Sequence, residues 1–209
     1  MSAITPAAPV TLADGWAVSG RRSDAALRLI DCSPLTKVTV RADHDGKVAG
    51  VIGVPLGRAA RPSWGADVYD GPVLAAGSGP GTWLALAAPG AQPQVEEWLD
   101  GMAADAAELV TVTDLTHGLT MVRLGGTRAR ETLAKECGVD LRDDVCPPGT
   151  ALRTAVSGVA AGLIRDDQDS TESYLVHCER STGQYLFDSL LDAGAEFGIE
   201  VDGFVSPGI

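Results

Sequence analysis

The clearest alternation of apolar and polar positions lies in the middle of the chain. A β-branched run at 110–113 is followed by alternating apolar positions over 119–124, and two glycines then interrupt the pattern. An apolar stripe at a spacing of four crosses 127–137, which predicts a helix. Thr127 is the expected N-cap of that helix, and Gly138 is its expected end.

The rest of the chain also predicts short strands interleaved with helices. Further strands are expected at 37–42, 72–76, 82–87, 152–156, 159–164, 172–178 and 199–204, and further helices at 47–54, 94–109 and 181–197. Ser181 and Gln184 have the spacing of a capping box for the last helix. Residues 55–71 predict a loop, with Trp64 and Tyr69 as its anchors.

This order of elements repeats along the chain. Residues 37–118 and residues 119–209 each approximate the order strand, helix, strand, strand, helix, strand, with one extra strand in the second half. The strand and helix that begin at Thr82 return at Ser173, about 91 residues later. We therefore predict an α+β fold of two ferredoxin-like (βαββαβ) halves, preceded by an extended N-terminal segment at 1–36.

The N-terminal segment shows neither helical nor strand periodicity, yet it is too apolar for a free tail. Its apolar residues are Ile4, Val10, Leu12, Trp16, Val18, Leu27, Leu29 and Ile30. One hypothesis is that it docks against partner subunits, with Trp16 as the anchor and Arg21, Arg22 and Arg28 as a charged rim. The alternative is that it adds an edge strand to the chain's own sheet.

Charge is strongly acidic and unevenly distributed. The formal net charge is −12, which argues against nucleic acid or an anionic membrane as a partner. Residues 1–62 carry eight Lys/Arg and five Asp/Glu, whereas residues 63–209 carry eight and twenty-three. This is either ordinary solubility of an acidic body or a sign that the basic front meets an acidic surface, its own or a partner's. Because no stretch has the length of a membrane span and the first residues lack the features of a secretory signal, we expect a cytoplasmic protein.

The cysteines and histidines do not form a recognisable site. Cys32, Cys137, Cys146 and Cys178 include no C-x-x-C pair, so we expect four reduced thiols. His44, His117 and His177 lie in three different contexts, and no metal site is predicted.

Two groups of residues could be written as catalytic arrangements. Asp114, Thr116 and His117 could be a base with its orienting partners, but a turn in which Asx and Thr side chains bond the backbone is favoured. His177 and Cys178 are adjacent on a strand and therefore face opposite sides, which excludes a catalytic pair.

Other suggestive stretches have structural explanations. Gly77–Gly81 lacks the Lys-Ser/Thr of a P-loop and predicts a hairpin turn. The acidic run at 166–169 lacks the glycine and the closing glutamate of a calcium loop and predicts a solvent-exposed hairpin tip. Glu96 and Glu97 diverge around a helix and predict a solvated face. With no dinucleotide fingerprint and no nucleophile elbow, we predict no catalytic, cofactor-binding or metal residue in this chain.

A resemblance to a known family rests on four motifs. They are Asp114-Leu-Thr-His117, Thr120-Met-Val-Arg123-Leu-Gly125, the passage Ala129–Leu141 with Leu133, Lys135 and Cys137, and Pro147-Pro148-Gly149. Together they resemble the gamma subunit of heterotetrameric sarcosine oxidase, over roughly residues 33–204. Gly126-Thr127 and Cys146 depart from the pattern, which has a Gly-Pro turn and an aromatic residue at these places.

The resemblance implies an aminomethyltransferase-like folate-binding fold and a non-catalytic role beside alpha, beta and delta subunits. Such a complex oxidises sarcosine to glycine, transfers the one-carbon unit to tetrahydrofolate and produces hydrogen peroxide. FAD, FMN, NAD, tetrahydrofolate and zinc are expected in its other subunits.

Two alternatives to this role remain open. The first is a free-standing folate-binding aminomethyltransferase-like protein, with Asp114 as a candidate carboxylate. Against it, the strand from Tyr174 to Cys178 lacks the Asn that helps bind folate in the aminomethyltransferases. The second is a subunit of a related N-methyl amino acid oxidase.

Overall fold

The structure is a computed structural model that describes residues 2–63 and 69–209. The strands are β1 (Val10–Ala13), β2 (Trp16–Ser19), β3 (Leu27–Asp31), β4 (Thr36–Arg41), β5 (Ala59–Ala60), β6 (Leu74–Gly79), β7 (Thr82–Ala87), β8 (Thr111–Asp114), β9 (Leu119–Gly126), β10 (Ala151–Val156), β11 (Val159–Arg165), β12 (Ser173–Glu179) and β13 (Glu200–Asp202). The helices are α1 (Lys47–Ile52), α2 (Gln92–Ala106), α3 (Ala129–Glu136) and α4 (Gly183–Gly194). The predicted α+β class is confirmed.

Most strands belong to two sheets. The first has the order β5-β6-β7-β4-β8, and the second has the order β10-β11-β12-β9-β3-β13. All pairings in these sheets are antiparallel except that of β13 with β3. At one edge the sheets are joined by backbone hydrogen bonds from Ala59 to Gly149 and from Ala151 to Gly57.

The alternation of side chains along each strand produces four layers. Helices α1 and α2 cover the outer face of the five-stranded sheet, and α3 and α4 cover the outer face of the six-stranded sheet. The two inner faces pack on each other through a third apolar cluster. In β9, Val122 and Leu124 face the helices while Met121 faces the other sheet, as the alternation predicted.

The N-terminal segment contains three strands that pair within the chain. Strands β1 and β2 form a hairpin, and β3 is inserted between β9 and β13 as an internal strand of the six-stranded sheet. Trp16 is 1% exposed and lies in the inter-sheet core, so the prediction that it anchors a partner is wrong. The sequence missed β3 because its five residues are too few to show a clear period.

Two predicted helix starts are also corrected. Helix α3 begins after Arg128, not after a Thr127 cap, and no side chain caps it. Helix α4 follows a short 3₁₀ turn, so the box of Ser181 and Gln184 does not form. The Gln184 side chain instead accepts a hydrogen bond from the Thr5 backbone at 2.7 Å, which ties the N-terminal segment to α4.

Two anchoring predictions concern the loop before β6. Trp64 lies outside the described residues. The Tyr69 hydroxyl accepts a hydrogen bond from the backbone of Ala88 at 3.3 Å, so this part of the loop is held against the end of β7.

Candidate functional site

The turn around His117 is structural, as the sequence favoured. Asp114 accepts a hydrogen bond from the Thr116 backbone at 2.7 Å, and the Thr116 hydroxyl accepts one from the backbone of Lys37 at 3.1 Å. Neither side chain forms a hydrogen bond or ion pair with the imidazole of His117. That ring instead stacks on Trp16, with 5.0 Å between centroids and an angle of 13° between the planes. The turn therefore positions a ring and does not assemble a base with an orienting carboxylate.

Trp16 is the centre of a cluster of cations. The Arg180 guanidinium lies 5.0 Å and the Lys37 ammonium 5.7 Å from its ring, distances at which a cation is attracted to the π face. Arg180 also donates to the backbone carbonyls of Ser2 and His117. The cluster fastens the hairpin β1–β2 to the body of the chain.

Lys37 is the most perturbed group of this cluster. It is fully buried, and this burial lowers the pKa of its amine to about 7, although Asp31 nearby opposes the change. Its Nζ donates to the carbonyls of Ser33 and Leu35, both at 2.7 Å. A lysine with a pKa near neutrality has the property of a general base. Here it is sealed from solvent and bonded to backbone oxygens, so it serves the fold.

A second buried cluster surrounds Asp166 at the start of β12. Arg123 donates to the Asp166 carboxylate at 2.8 Å, and Arg61 forms an ion pair with it at 2.7 Å. Arg123 also donates to Ser173 at 2.8 Å and to the Gly208 carbonyl at 3.2 Å. Asp166 is buried, so the prediction that 166–169 is wholly a solvent-exposed tip is wrong for its first residue. The tip itself, with Asp169, is exposed.

The basic front meets the acidic body of the same chain. Arg61 pairs with Asp166, Arg21 with Glu200 at 3.2 Å, and Arg28 with Asp202 at 3.3 Å. Arg22 donates to the Gly203 carbonyl at 3.1 Å. The expected rim of Arg21, Arg22 and Arg28 is therefore bonded within the chain.

Tyr174 does not present its hydroxyl to a pocket. The residue is fully buried, and its hydroxyl donates to Glu172 at 2.7 Å. Burial, together with this hydrogen bond to Glu172, raises the pKa of the phenol. Glu172 in turn accepts from Arg130 at 2.8 Å. Glu172 therefore joins the phenol of Tyr174 to the guanidinium of Arg130.

His177 and Cys178 face opposite sides of β12, as predicted. Cys178 packs in the core under the helices, and burial raises the pKa of its thiol. His177 faces the other sheet, where burial and the positive charges of Arg153 and Lys37 lower the pKa of its imidazole to about 4. All four cysteines are free and buried, as expected from their spacing.

The remaining candidates are turns and surface groups. Gly81 has φ +61° and closes the hairpin between β6 and β7, where a Cβ would lie 2.2 Å from the Ala42 carbonyl. His44 lies on the surface, with its Nδ1 3.5 Å from Oδ1 of Asp43 and its Nε2 3.0 Å from Oδ2 of Asp45. Within residues 2–63 and 69–209, no group of three or more His, Cys, Asp or Glu side chains could hold a metal ion. No helix in the same ranges is long and apolar enough to cross a bilayer.

The outer strand of the N-terminal hairpin exposes apolar side chains. Val10 is 54% exposed and Leu12 is 72% exposed, and both lie on β1. In its two-stranded sheet β1 pairs with β2 alone, so its second edge has no strand partner among the described residues. Exposed apolar residues on an open strand edge are typical of a surface that another chain covers. This hairpin is the candidate interaction surface.

Comparisons with known proteins agree on the fold. A chain of the heterotetrameric sarcosine oxidase from Corynebacterium sp. U-96 superposes with a TM-score of 0.68 at 21% identity, covering 85% of this chain and 89% of that chain. Aminomethyltransferase T of the glycine cleavage system from Bartonella henselae superposes with a TM-score of 0.70 at 13% identity, covering 92% and 55%. The fold is therefore aminomethyltransferase-like.

Sequence comparison places the chain in a family. Human mitochondrial dimethylglycine dehydrogenase is 26% identical over 121 residues, which are 58% of this chain and only 14% of that protein. Residues 72–206 match the model of the GCVT N-terminal domain. The chain belongs to the GCVT N-terminal domain family, with a fold shared by one chain of a heterotetrameric sarcosine oxidase.

Proposed function

We propose that this chain is the non-catalytic, gamma-type subunit of a heterotetrameric sarcosine oxidase. The observation that carries the proposal is coverage: the superposition spans 89% of a chain of such an oxidase, against 55% of the aminomethyltransferase. The match to nearly the whole length of one chain of such a complex therefore supports a role in a complex of this kind. The complex would convert sarcosine to glycine, transfer the one-carbon unit to tetrahydrofolate and release hydrogen peroxide.

The chemistry of the complex belongs, in this proposal, to its other chains. The alpha, beta and delta subunits would hold FAD, FMN, NAD, tetrahydrofolate and zinc. In support, Gly77–Gly81 forms a hairpin turn and not a helix start that could bind the phosphates of a dinucleotide. Tyr174 and Glu172 are bonded to each other, and Lys37 is sealed between backbone carbonyls.

The fold itself has a finer interpretation within this proposal. Each half runs strand, helix, three strands, helix, strand, which is one strand more than the βαββαβ order, and β3 is added to the second sheet between β9 and β13. We interpret the two sheets as duplicated ferredoxin-like halves. Inserting β3 ties the N-terminal hairpin to the second half and so fixes the position of the exposed strand β1.

The proposed partner contact can be tested with a double substitution, Val10→Ser with Leu12→Ser. Both side chains are more than half exposed, so the fold is expected to stay intact by circular dichroism. Loss of these apolar contacts is expected to weaken co-purification with the alpha, beta and delta subunits by at least about tenfold.

The matched control is Leu109→Ser, at a side chain that is 92% exposed beyond the end of α2. This variant is expected to co-purify like the unmodified chain. If the unmodified chain assembles with no flavin-containing partner, the subunit proposal is wrong. If the double variant assembles undiminished, the subunit role stands and the hairpin is not its contact.

A free-standing folate-binding protein is the second candidate, favoured by the TM-score of 0.70 to aminomethyltransferase T. It predicts that the isolated chain binds tetrahydrofolate with a Kd of about 1 μM in calorimetry. The subunit proposal predicts no saturable binding under the same conditions.

A third candidate is a subunit of a related N-methyl amino acid oxidase, favoured by the match to human dimethylglycine dehydrogenase. Peroxide production by the purified complex with sarcosine or dimethylglycine distinguishes these substrates.

A further inference from the structure

Two arginines lack any counter-charge in this strongly acidic chain. The side chains of Arg41 at the end of β4 and Arg153 in β10 make no hydrogen bond or ion pair with a described residue. Every other lysine and arginine side chain forms a hydrogen bond or an ion pair with an oxygen of the described chain. With a net charge of −12, carboxylates are abundant. The unpaired state of these two cations therefore requires an explanation.

Both arginines line the same cleft between the two sheets. The cleft has a volume of about 500 Å³, within the range of small-ligand sites. Arg41 belongs to the five-stranded sheet and Arg153 to the six-stranded sheet, so the cleft is bounded by cations from both.

A neutral imidazole completes the polar part of the cleft. Arg153, Gly162 and His177 lie in one row across β10, β11 and β12. A Cβ on Gly162 would lie 2.0 Å from Nε2 of His177, so the ring occupies the space that the glycine leaves. The imidazole of His177 makes no hydrogen bond to a described residue, and its lowered pKa keeps it neutral at pH 7. It can therefore offer one donor and one acceptor to a ligand.

The other groups of the cleft define the ligand further. Apolar walls come from Leu84, Leu115, Leu119, Val159 and Ala161. Thr39, Ser78, Thr82 and Thr182 also line it, but each hydroxyl donates to a backbone carbonyl. Glu179 is the one carboxylate in the lining and pairs with neither arginine. Two arginines and one glutamate leave a single positive charge for a ligand to neutralise.

We propose that this inter-sheet cleft binds a small organic monocarboxylate. Arginine matches the two oxygens of a carboxylate with a planar pair of donors, and the second arginine and His177 are available to the same group. The apolar walls favour a ligand with an apolar body over an inorganic anion. This site is independent of the proposed subunit role, because it rests on groups within this chain.

The test uses the full chain and benzoate as the probe. The NMR signal of the imidazole Cε1–H of His177, assigned with His177→Gln, is followed while benzoate is added. We expect a saturable shift, with a Kd of about 1 mM or tighter. Arg41→Gln and Arg153→Gln are each expected to weaken binding about tenfold or more, the effect of losing one charged hydrogen bond. The control Arg142→Gln removes an exposed arginine outside the cleft and should leave the affinity unchanged.

Four outcomes would overturn the proposal. The first is the absence of a saturable shift of the His177 signal. The second is equal affinity for benzamide, which has the same ring without the charge. The third is equal affinity for inorganic phosphate, which would show that the apolar walls contribute nothing. A shift that the two arginine substitutions leave unaltered would place the probe elsewhere and would also overturn it.

Discussion

The arginines near the two ends of β12 differ in whether they are paired with a carboxylate. At the start of the strand, Arg123 and Arg61 converge on Asp166, and the carboxylate is buried between them. At the end of the strand, Arg41 and Arg153 line a cleft in which neither forms an ion pair with a described carboxylate. Both ends lie between the same two sheets. We call the end at Asp166 the closed end, because its charges are paired within the protein. We call the end at Arg41 and Arg153 the open end, because its two arginines have no ion-pair partner among the described residues.

This difference separates structural cations from cations available to a ligand. A buried charge is tolerated when it is paired and hydrogen-bonded, and Arg123 satisfies this with donors to Asp166, Ser173 and Gly208. Arg41 and Arg153 are exposed and are solvated instead. Substitutions at the two ends should therefore differ in what they damage: stability at the closed end and binding at the open end.

The largest effect is expected from Arg123→Gln. It leaves Asp166 buried with Arg61 alone and removes the donor to Ser173 and Gly208. Breaking a buried ion pair lowers the free energy of unfolding by about 3–5 kcal/mol. Because Arg61 still pairs with Asp166, we expect a loss at the low end of this range, about 3 kcal/mol. Urea unfolding followed by circular dichroism measures it. Arg153→Gln is the matched control, with an expected change within about 0.5 kcal/mol. Equal losses in the two variants would abolish the distinction between the ends.

Gly162→Ala tests the open end by steric means. The new Cβ would meet Nε2 of His177 at 2.0 Å, and the imidazole must turn away into the cleft. Because the clash is with the far end of a side chain, we expect a loss of about 1–2 kcal/mol, at the lower end of overpacking effects. Gly101→Ala has nothing within 4 Å of its Cβ and lies inside α2, so it should stabilise the chain by about 0.5–1 kcal/mol. Thermal unfolding of both variants would contradict this account if their midpoints moved in the same direction.

The contrast between the ends was only partly visible in the sequence. The strand β9 and its two faces were predictable because apolar residues alternate over 119–124. The pairing of Arg123 with Asp166 was not predictable, because the two residues are 43 positions apart in the chain. In addition, Asp166 begins a run that is typical of an exposed acidic turn. The available signal was a lone arginine among the apolar residues of a buried strand, which requires a counter-charge somewhere in the fold.

The cleft at the open end could not be predicted from the sequence, for a different reason. His177 was readable as a strand residue with either orientation, and nothing local distinguished Arg41 or Arg153 from ordinary surface cations. Their meeting depends on how the two sheets pack, which is a property of the fold as a whole. Strand β3 was lost for a related reason: its burial comes from insertion between β9 and β13, which no local pattern encodes.

Arg61→Gln sharpens the comparison from the closed end. Arg61 is 45% exposed, so its pair with the buried Asp166 is partly screened by solvent. We expect a loss of about 1 kcal/mol, less than for Arg123→Gln. A double-mutant cycle with Arg123→Gln should show coupling, because both arginines share one carboxylate. Additive losses in urea unfolding would mean that the two arginines act independently and that Asp166 does not join them.

The smallest effect is the pH dependence contributed by His177. In the folded chain the pKa of His177 is lowered from 6.5 to about 4. Between these pH values the imidazole is protonated in the unfolded chain and neutral in the folded chain. This contribution to stability is complete above pH 6.5 and is lost as the pH falls towards 4. Because the ring lines a solvent-open cleft, we expect a loss of about 0.5–1 kcal/mol, well below the full linkage value.

His177→Gln isolates this contribution, because the amide replaces the imidazole with a group that does not titrate. The difference in unfolding free energy between the two proteins should be constant above pH 6.5 and should shift in favour of the variant between pH 6.5 and 4. Adding benzoate to the unmodified chain should reduce the shift, since a bound carboxylate beside the ring favours its charged form. Arg153 opposes that charged form, so Arg153→Gln should also raise the pKa of His177 and narrow the pH window. A difference that does not change across this range would show that the imidazole is as well solvated as in the unfolded chain, and the open end would then be ordinary surface.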